Sequence, residues 1–357
     1  MKVSRRRVLA GIGAAPVASS ALLGLSACQS GPAAVSAPYV SRGGTYSLKP
    51  VNDGFAAVLE TKDFGVLAND PTIAAELQTK LDKHLILHVR PEVMLTRPAV
   101  GAMAYNLGYP RDGRRMPLNP PAPAAVSAPA QAKPGADGYG GQPSTQSGPA
   151  PRRSSEYGEF AFIADFGGPA EPTPTVARKP RYIETLHTDG GAYSVNATID
   201  VPPASPHTFA DMQAAYRTLP RHLKQVVERS HALHAGLATT STPYDELPGF
   251  DARTALRRPM LLAHYRTKTP QLYLPKNPQS LIEGMPEDEG RAVIAELWAH
   301  VNTQRNRYMA WSGPNEAMIW DAHGTTHTNP SYRREKARVT WFFVIPSHLP
   351  LTQATVA

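Results

Sequence analysis

Cysteine is almost absent: the 357 residues contain one, Cys28. No disulfide framework can form within the chain, which excludes a small cross-linked scaffold. Long hydrophobic runs are also lacking. The most apolar N-terminal stretch, residues 10–25, is rich in Gly and Ala and too weakly hydrophobic to predict a membrane span. Excess charge is scarce once the N-terminus is set aside. The formal +8 includes Lys2, Arg5, Arg6 and Arg7; without them 33 basic residues face 29 acidic ones, a balance too mild to point to nucleic acid. What is present is 41% hydrophobic residues over a length that can bury a core, read here as one elaborated domain.

The N-terminus carries a more specific signal. Ser4-Arg5-Arg6-Arg7-Val8-Leu9, followed by the Gly/Ala-rich run, resembles a twin-arginine export signal. Leu25-Ser26-Ala27-Cys28 then resembles a lipobox, whose cysteine becomes the lipidated first residue of the mature chain. The expectation is a signal over residues 1–28 and export by the twin-arginine pathway. A lipid anchor on Cys28 would hold the protein on the outer side of the cytoplasmic membrane or in the periplasm; an uncleaved membrane anchor is the alternative. Residues 29–44, small and polar with Pro and Gly, are expected to be a tether, with order starting near Thr45.

Periodicity predicts a strand over residues 54–60, an amphipathic helix over 71–83 and a buried strand over 84–90. From 116 to 155 the composition turns to Pro, Ala, Gly and Ser with almost no large aliphatic side chains. Such a segment cannot bury enough apolar area to offset its ordering entropy, so it is expected to be a disordered insertion. It would divide the domain into an N-terminal part, 45–115, and a main part, 156–348, before a short tail, 349–357. Residues 208–216 and 220–235 are read as two helices, 260–265 and 271–274 as short strands. Pro286-Glu287-Asp288-Glu289 predicts the start of a helix with acidic residues at its positive end. Strands are expected at 317–320 and 337–345. The predicted class is α+β, with helices decorating a mainly antiparallel sheet.

His187-Thr188-Asp189 is the first chemistry-bearing motif. His and Asp two apart on a strand point to one face, as two neighbouring metal ligands must. The triplet alone is a weak signal in a chain with 12 histidines, and a structural role for both residues stands beside the metal reading. Weight comes from the ordered set that follows: Trp320-Asp321, a short loop to His327, and Arg338 eleven residues later. Two imidazoles and one carboxylate on one face of Fe(II) leave positions open for a co-substrate and O2.

This set resembles the taurine dioxygenase and 2,4-dichlorophenoxyacetate dioxygenase family of Fe(II)- and 2-oxoglutarate-dependent oxygenases, over roughly residues 45–346. The resemblance implies a double-stranded β-helix, a cupin-like jelly roll with flanking helices. It implies that His187, Asp189 and His327 bind iron, that Arg338 forks onto the distal carboxylate of 2-oxoglutarate, and that Thr208 hydrogen-bonds the co-substrate. The activity implied is hydroxylation of a small organic or envelope-associated substrate by O2, coupled to decarboxylation of 2-oxoglutarate to succinate. Three departures stand out. Phe342 replaces the second arginine that holds a sulfonate, so a sulfonate substrate is not expected. Ser205-Pro206-His207 replaces the Gly-Gly before the threonine, and Ala322-His323 replaces the Asn-Arg after Asp321.

Other features weigh less. His323 is read as lying outside the metal set, His231 and His234 as solvated helix positions, Arg333, Arg334 and Lys336 as a solvated loop, and Trp311, Trp320, Trp341 and Phe343 as core packing. Two further readings stay open. One is a non-catalytic exported jelly-roll protein with a degenerate site, and the other is a jelly-roll metalloenzyme with a different co-substrate.

Overall fold

The computed structural model describes residues 38–41, 43–108, 186, 188, 191–198, 206–236, 247, 249–303, 306–311, 313–328, 340–345 and 351–355. The export signal with Cys28, the Pro-rich segment, His187, Asp189 and Arg338 lie outside the described residues.

The chain opens with strands β1 (Tyr39–Val40), β2 (Tyr46–Val51) and β3 (Ala56–Thr61), then helices α1 (Phe64–Asn69) and α2 (Pro71–His84), strand β4 (Ile86–Pro91) and helix α3 (Arg97–Asn106). Helix α2 starts where the sequence says it should. The Asp70 carboxylate accepts the Thr72 and Ile73 N–H groups, and Pro71 occupies the first turn. Its buried Ala74, Leu77, Leu81 and His84 recur at helical spacing. Leu85, in the left-handed region at φ 55°, ends it and turns the chain into β4.

After the Pro-rich region come β5 (Tyr193–Thr198), β6 (His207–Asp211), α4 (Met212–Arg217), α5 (Arg221–Arg229), β7 (His231–His234), β8 (Leu256–Pro259), β9 (Leu261–Ala263), β10 (Pro270–Leu272) and β11 (Leu281–Ile282). The remainder is α6 (Glu287–Val301), β12 (Arg307–Ala310), β13 (Glu316–Asp321), β14 (Thr325–Thr328), β15 (Thr340–Ile345) and β16 (Thr352–Gln353). Among the described residues, no helix is long and apolar enough to cross a membrane.

Two sheets position the site. The larger has the order β1-β2-β3-β4-β13-β5-β15, and the smaller is β12-β6-β14. Side-chain alternation sorts their residues into three cores. One face of the large sheet (Leu59, Leu87, Val195, Ile319 and Phe343) packs with Leu67, Leu77 and Val100 of α1–α3. Phe209 of the small sheet meets Met318 and Trp320 of the large one in a second cluster with Phe55, Leu85 and Ile86. The other side of β6, represented by Ala210, packs with α4, α5 and α6 through Ala215, Leu223, Val227 and Leu297. Two facing sheets in this order, antiparallel except for the parallel β3–β4 pair, with helices outside both, form the expected double-stranded β-helix.

Several expectations need correction. Order begins before Thr45: β1 pairs antiparallel with β2, and the Ser41 hydroxyl accepts the Tyr46 N–H at 3.0 Å to close the turn. Residues 207–211 are not helix. They form the middle strand of the small sheet, hydrogen-bonded on both sides, and helix starts only at Met212, where Asp211 accepts the Gln213 and Ala214 N–H groups. The predicted 220–235 helix stops at Arg229, because residues 231–234 pair with both β8 and β11. Cross-strand pairing overrides local propensity in both places. Trp311 is 57% exposed, not core.

Candidate functional site

His327 sits on β14 opposite Phe209 of β6, so the two side chains share a face. That face looks into the space between the sheets. The His327 ring lies 4.9 Å from Trp320 and 6.0 Å from Phe209, and Trp320 stacks on Phe342 at 5.9 Å. His327 is buried, and the aromatic wall around it excludes bulk water, as a reactive metal site requires.

The turn that delivers His327 is built around Asp321. One carboxylate oxygen, Oδ1, accepts the His323 N–H at 2.9 Å and the Gly324 N–H at 2.8 Å. The Thr325 hydroxyl donates to the Asp321 carbonyl at 2.6 Å. Oδ2 is 2.7 Å from His264 Nε2, and both side chains are fully buried. The Thr267 N–H donates to His264 Nδ1 at 3.1 Å, which leaves the imidazole proton on Nε2 to donate to Asp321. A Cβ on Gly324 would lie 2.9 Å from Leu85 Cδ2 and 3.3 Å from the Gln213 amide, so the ends of those two side chains pack directly on the turn. Burial pushes the neighbouring His323 down to about 4; Asp321 opposes this and His264 adds to it.

Asp82, His264 and Asp321 place one donor atom each within 4.8 Å of one another, a spacing that a cation could use. Their hydrogen bonds argue otherwise. Asp82 is forked by the Arg266 guanidinium through contacts of 2.8 and 2.9 Å, and both Asp321 oxygens are committed. The cluster is a brace behind the His327 turn, and His264, 57 residues from its partner, had no local sequence signal.

Thr188, between His187 and Asp189 in sequence, donates its hydroxyl to the Ala322 carbonyl at 2.7 Å. Just beyond, the Ala192 N–H donates to the Ile345 carbonyl at 2.7 Å, and a Cβ on Gly191 would lie 2.5 Å from that same oxygen. The segment therefore enters β5 pressed against β15, and only glycine fits the entry. His187, Asp189 and Arg338 themselves lie outside the described residues. The described part of the motif comes together beside the His327 turn, and the donor types suit Fe(II).

Thr208 is placed differently from the expectation. It pairs with Thr328 and Met309, one residue out of phase with Phe209 and His327, so its side chain lies on the opposite face of the small sheet. Its N–H donates to the Thr328 hydroxyl at 3.3 Å. The face shared with His327 belongs to His207 and Phe209, whose rings stack 6.0 Å apart at 15°. Neither His231 nor His234 lies on a helix: the first is 3.9 Å from Glu283 and the second stacks on Tyr273 at 5.5 Å.

Across the space, β5 presents the other face of its strand. Tyr193, Val195 and Ala197 join the core under α1–α3, leaving Ser194, Asn196 and Thr198 facing inward. At the rim, Glu316 binds His88 at 2.8 Å, the Gly313 N–H at 2.7 Å and Arg90 at 3.3 Å. Burial raises its proton affinity, but these donors outweigh it and hold the carboxyl below its ordinary value.

A buried histidine between two facing sheets with helices outside both is the architecture of a cupin-like jelly roll. The chain belongs to the family described as taurine catabolism dioxygenase TauD, TfdA family, which it matches over residues 47–344. It is 31% identical over 157 residues to the alpha-ketoglutarate-dependent 2,4-dichlorophenoxyacetate dioxygenase of Cupriavidus pinatubonensis, covering 42% of this chain and 54% of that one. The enzyme of the same name from a Burkholderia species is 30% identical over 157 residues, covering 42% of this chain and 52% of that relative. The aligned region thus spans about half the length of these relatives. Among solved structures, AAD-2 in complex with Mn(II) and N-oxalylglycine superposes with a TM-score of 0.56 at 17% identity, covering 86% of this chain and all of the other. A taurine dioxygenase from Burkholderia xenovorans gives 0.55 at 17%, covering 86% and 91%. At these identities the structures show the shared fold.

Proposed function

We propose that this protein is an Fe(II)- and 2-oxoglutarate-dependent dioxygenase that hydroxylates a small organic or envelope-associated molecule. The observation carrying the reading is the Thr188–Ala322 hydrogen bond, which ties Thr188, the residue between His187 and Asp189 in sequence, to the turn presenting His327. His187, Asp189 and His327 would hold the metal on one face, and the Arg338 guanidinium would take the distal carboxylate of the co-substrate in a fork. Bound Fe(II) with 2-oxoglutarate supplies O2 activation coupled to decarboxylation to succinate. The protein's own contribution is position and exclusion. Trp320, Phe209 and Phe342 wall off water, Asp321 and His264 fix the turn, and Thr208 acts through the backbone pairing that sets the register of β14 against β6.

Phe342 supports a substrate other than a sulfonate. It lies four residues after Arg338, and its ring stacks on Trp320, so this position offers an aromatic face and no cation. The 2,4-dichlorophenoxyacetate dioxygenase relatives favour a small carboxylic acid with an apolar body. The twin-arginine and lipobox resemblance supports export and a membrane anchor through Cys28. The test is succinate release from 2-oxoglutarate with Fe(II) in air across a panel of aryloxy and aliphatic carboxylic acids and taurine. Release stimulated by a carboxylic acid and not by taurine is expected; stimulation by taurine alone would overturn the substrate reading.

A further inference from the structure

Unpaired polar atoms between the sheets carry an inference that deepens the proposed function and rests on it. Asn196 and Thr198 face inward from β5 and are 6% and 1% exposed. Asn196 Oδ1 and Thr198 Oγ1 have no hydrogen-bond partner. Two polar side chains left so on one strand face are destabilising unless something outside the protein completes them.

Register fixes their surroundings. Asn196 lies between Met318 and Phe342, and Thr198 between Glu316 and Thr340. The Glu316 carboxylate is already taken by His88, Arg90 and the Gly313 N–H, so it is not the partner Thr198 lacks. Ser194, two residues before Asn196, pairs with Trp320, whose ring is 4.9 Å from that of His327. Asn196 is therefore about 7 Å along the strand from the His327 wall. The neighbouring strand, β15, begins two residues after Arg338.

We propose that Asn196 and Thr198 hold a carboxylate of the 2-oxo dicarboxylic acid co-substrate. The Thr198 hydroxyl donates to it. The Asn196 amide, whose oxygen and nitrogen exchange places by a half-turn, donates an N–H beside it. These neutral donors explain why the inward face of β5 is polar while its outward face, Tyr193, Val195 and Ala197, is apolar.

The test is a calorimetric titration of the full chain, loaded with Mn(II), with 2-oxoglutarate. Asn196→Leu and Thr198→Val, each close in volume to the residue replaced, are expected to weaken co-substrate binding about tenfold each, with Mn(II) affinity within about twofold of wild type. Thr198→Ser, which keeps the hydroxyl, should retain wild-type binding. Wild-type protein that binds Mn(II) but not 2-oxoglutarate would overturn the functional reading itself. Wild-type binding that both variants reproduce within about twofold would overturn this inference alone, and would assign the two atoms to water or to the primary substrate. Should Asn196→Leu fail to fold, the Thr198→Val and Thr198→Ser pair decides.

Discussion

The hydroxyl of Thr188 donates to the carbonyl of Ala322 across 134 residues of sequence, at 2.7 Å. Thr188 lies in the first of the proposed metal-ligand motifs and Ala322 in the turn before the other proposed ligand, His327. One hydrogen bond thus couples two segments whose spacing in three dimensions would decide whether a metal can be held.

Removing that bond without changing side-chain shape should loosen the coupling. Thr188→Val is expected to reduce Fe(II) affinity by about three- to tenfold, the equivalent of one hydrogen bond, with little change in the far-ultraviolet circular dichroism. Unchanged affinity would mean that the segments are aligned by other contacts.

The brace behind the turn should be more costly to break. His264→Ala leaves the Asp321 Oδ2 buried without its donor, and a loss of about 3–5 kcal/mol in urea unfolding is expected. His264→Gln, which can still present an N–H, should recover part of it.

Gly191→Ala tests close packing at the entry to β5. The added methyl would lie 2.5 Å from the Ile345 carbonyl, so the backbone must shift. A lowered melting temperature and a weaker metal site are expected together. Alanine tolerated at full stability and metal affinity would contradict the tight approach.

Stability should also fall with pH. Burial lowers the pKa of His84, whose Nδ1 lies 2.8 Å from the Gly54 carbonyl, and lowers that of His234 to about 3. Both values lie below those of the unfolded chain, about 6.5. The unfolded state therefore binds more protons below that pH, and stability is lost progressively as pH falls from about 6.5 toward 3. Melting temperatures at pH 7.5 and pH 5 should show the loss, and His234→Phe should reduce it.

Much of the scaffold was legible because its signals are local. The amphipathic pattern over 71–83 announces α2, Pro286 with the acidic residues after it announces α6, and the apolar run within 84–90 announces the buried strand β4. The stretch from Thr208 misleads because Ala214, Ala215 and Tyr216 are helical while the residues just before them are held between two strands. That pairing is long-range and has no local mark. It also moved Thr208 to the face opposite His327, since a shift of one residue on a strand changes sides. His264, Asn196 and Thr198 stayed hidden for the same reason: their roles come from partners, or missing partners, that only the register of distant strands defines. The jelly roll could be anticipated from the family resemblance, whereas the brace and the polar wall could not.

The most direct test of the central claim is an anaerobic titration of the protein with Fe(II) and then 2-oxoglutarate, followed in the visible range. A charge-transfer band of the chelated co-substrate should appear, and His187→Ala and His327→Ala should each abolish it, with Arg338→Ala shifting the titration to much higher 2-oxoglutarate. Iron binding with no band at saturating co-substrate would contradict the dioxygenase account and leave a metal-binding jelly roll, and failure to bind iron at all would remove the metal centre itself.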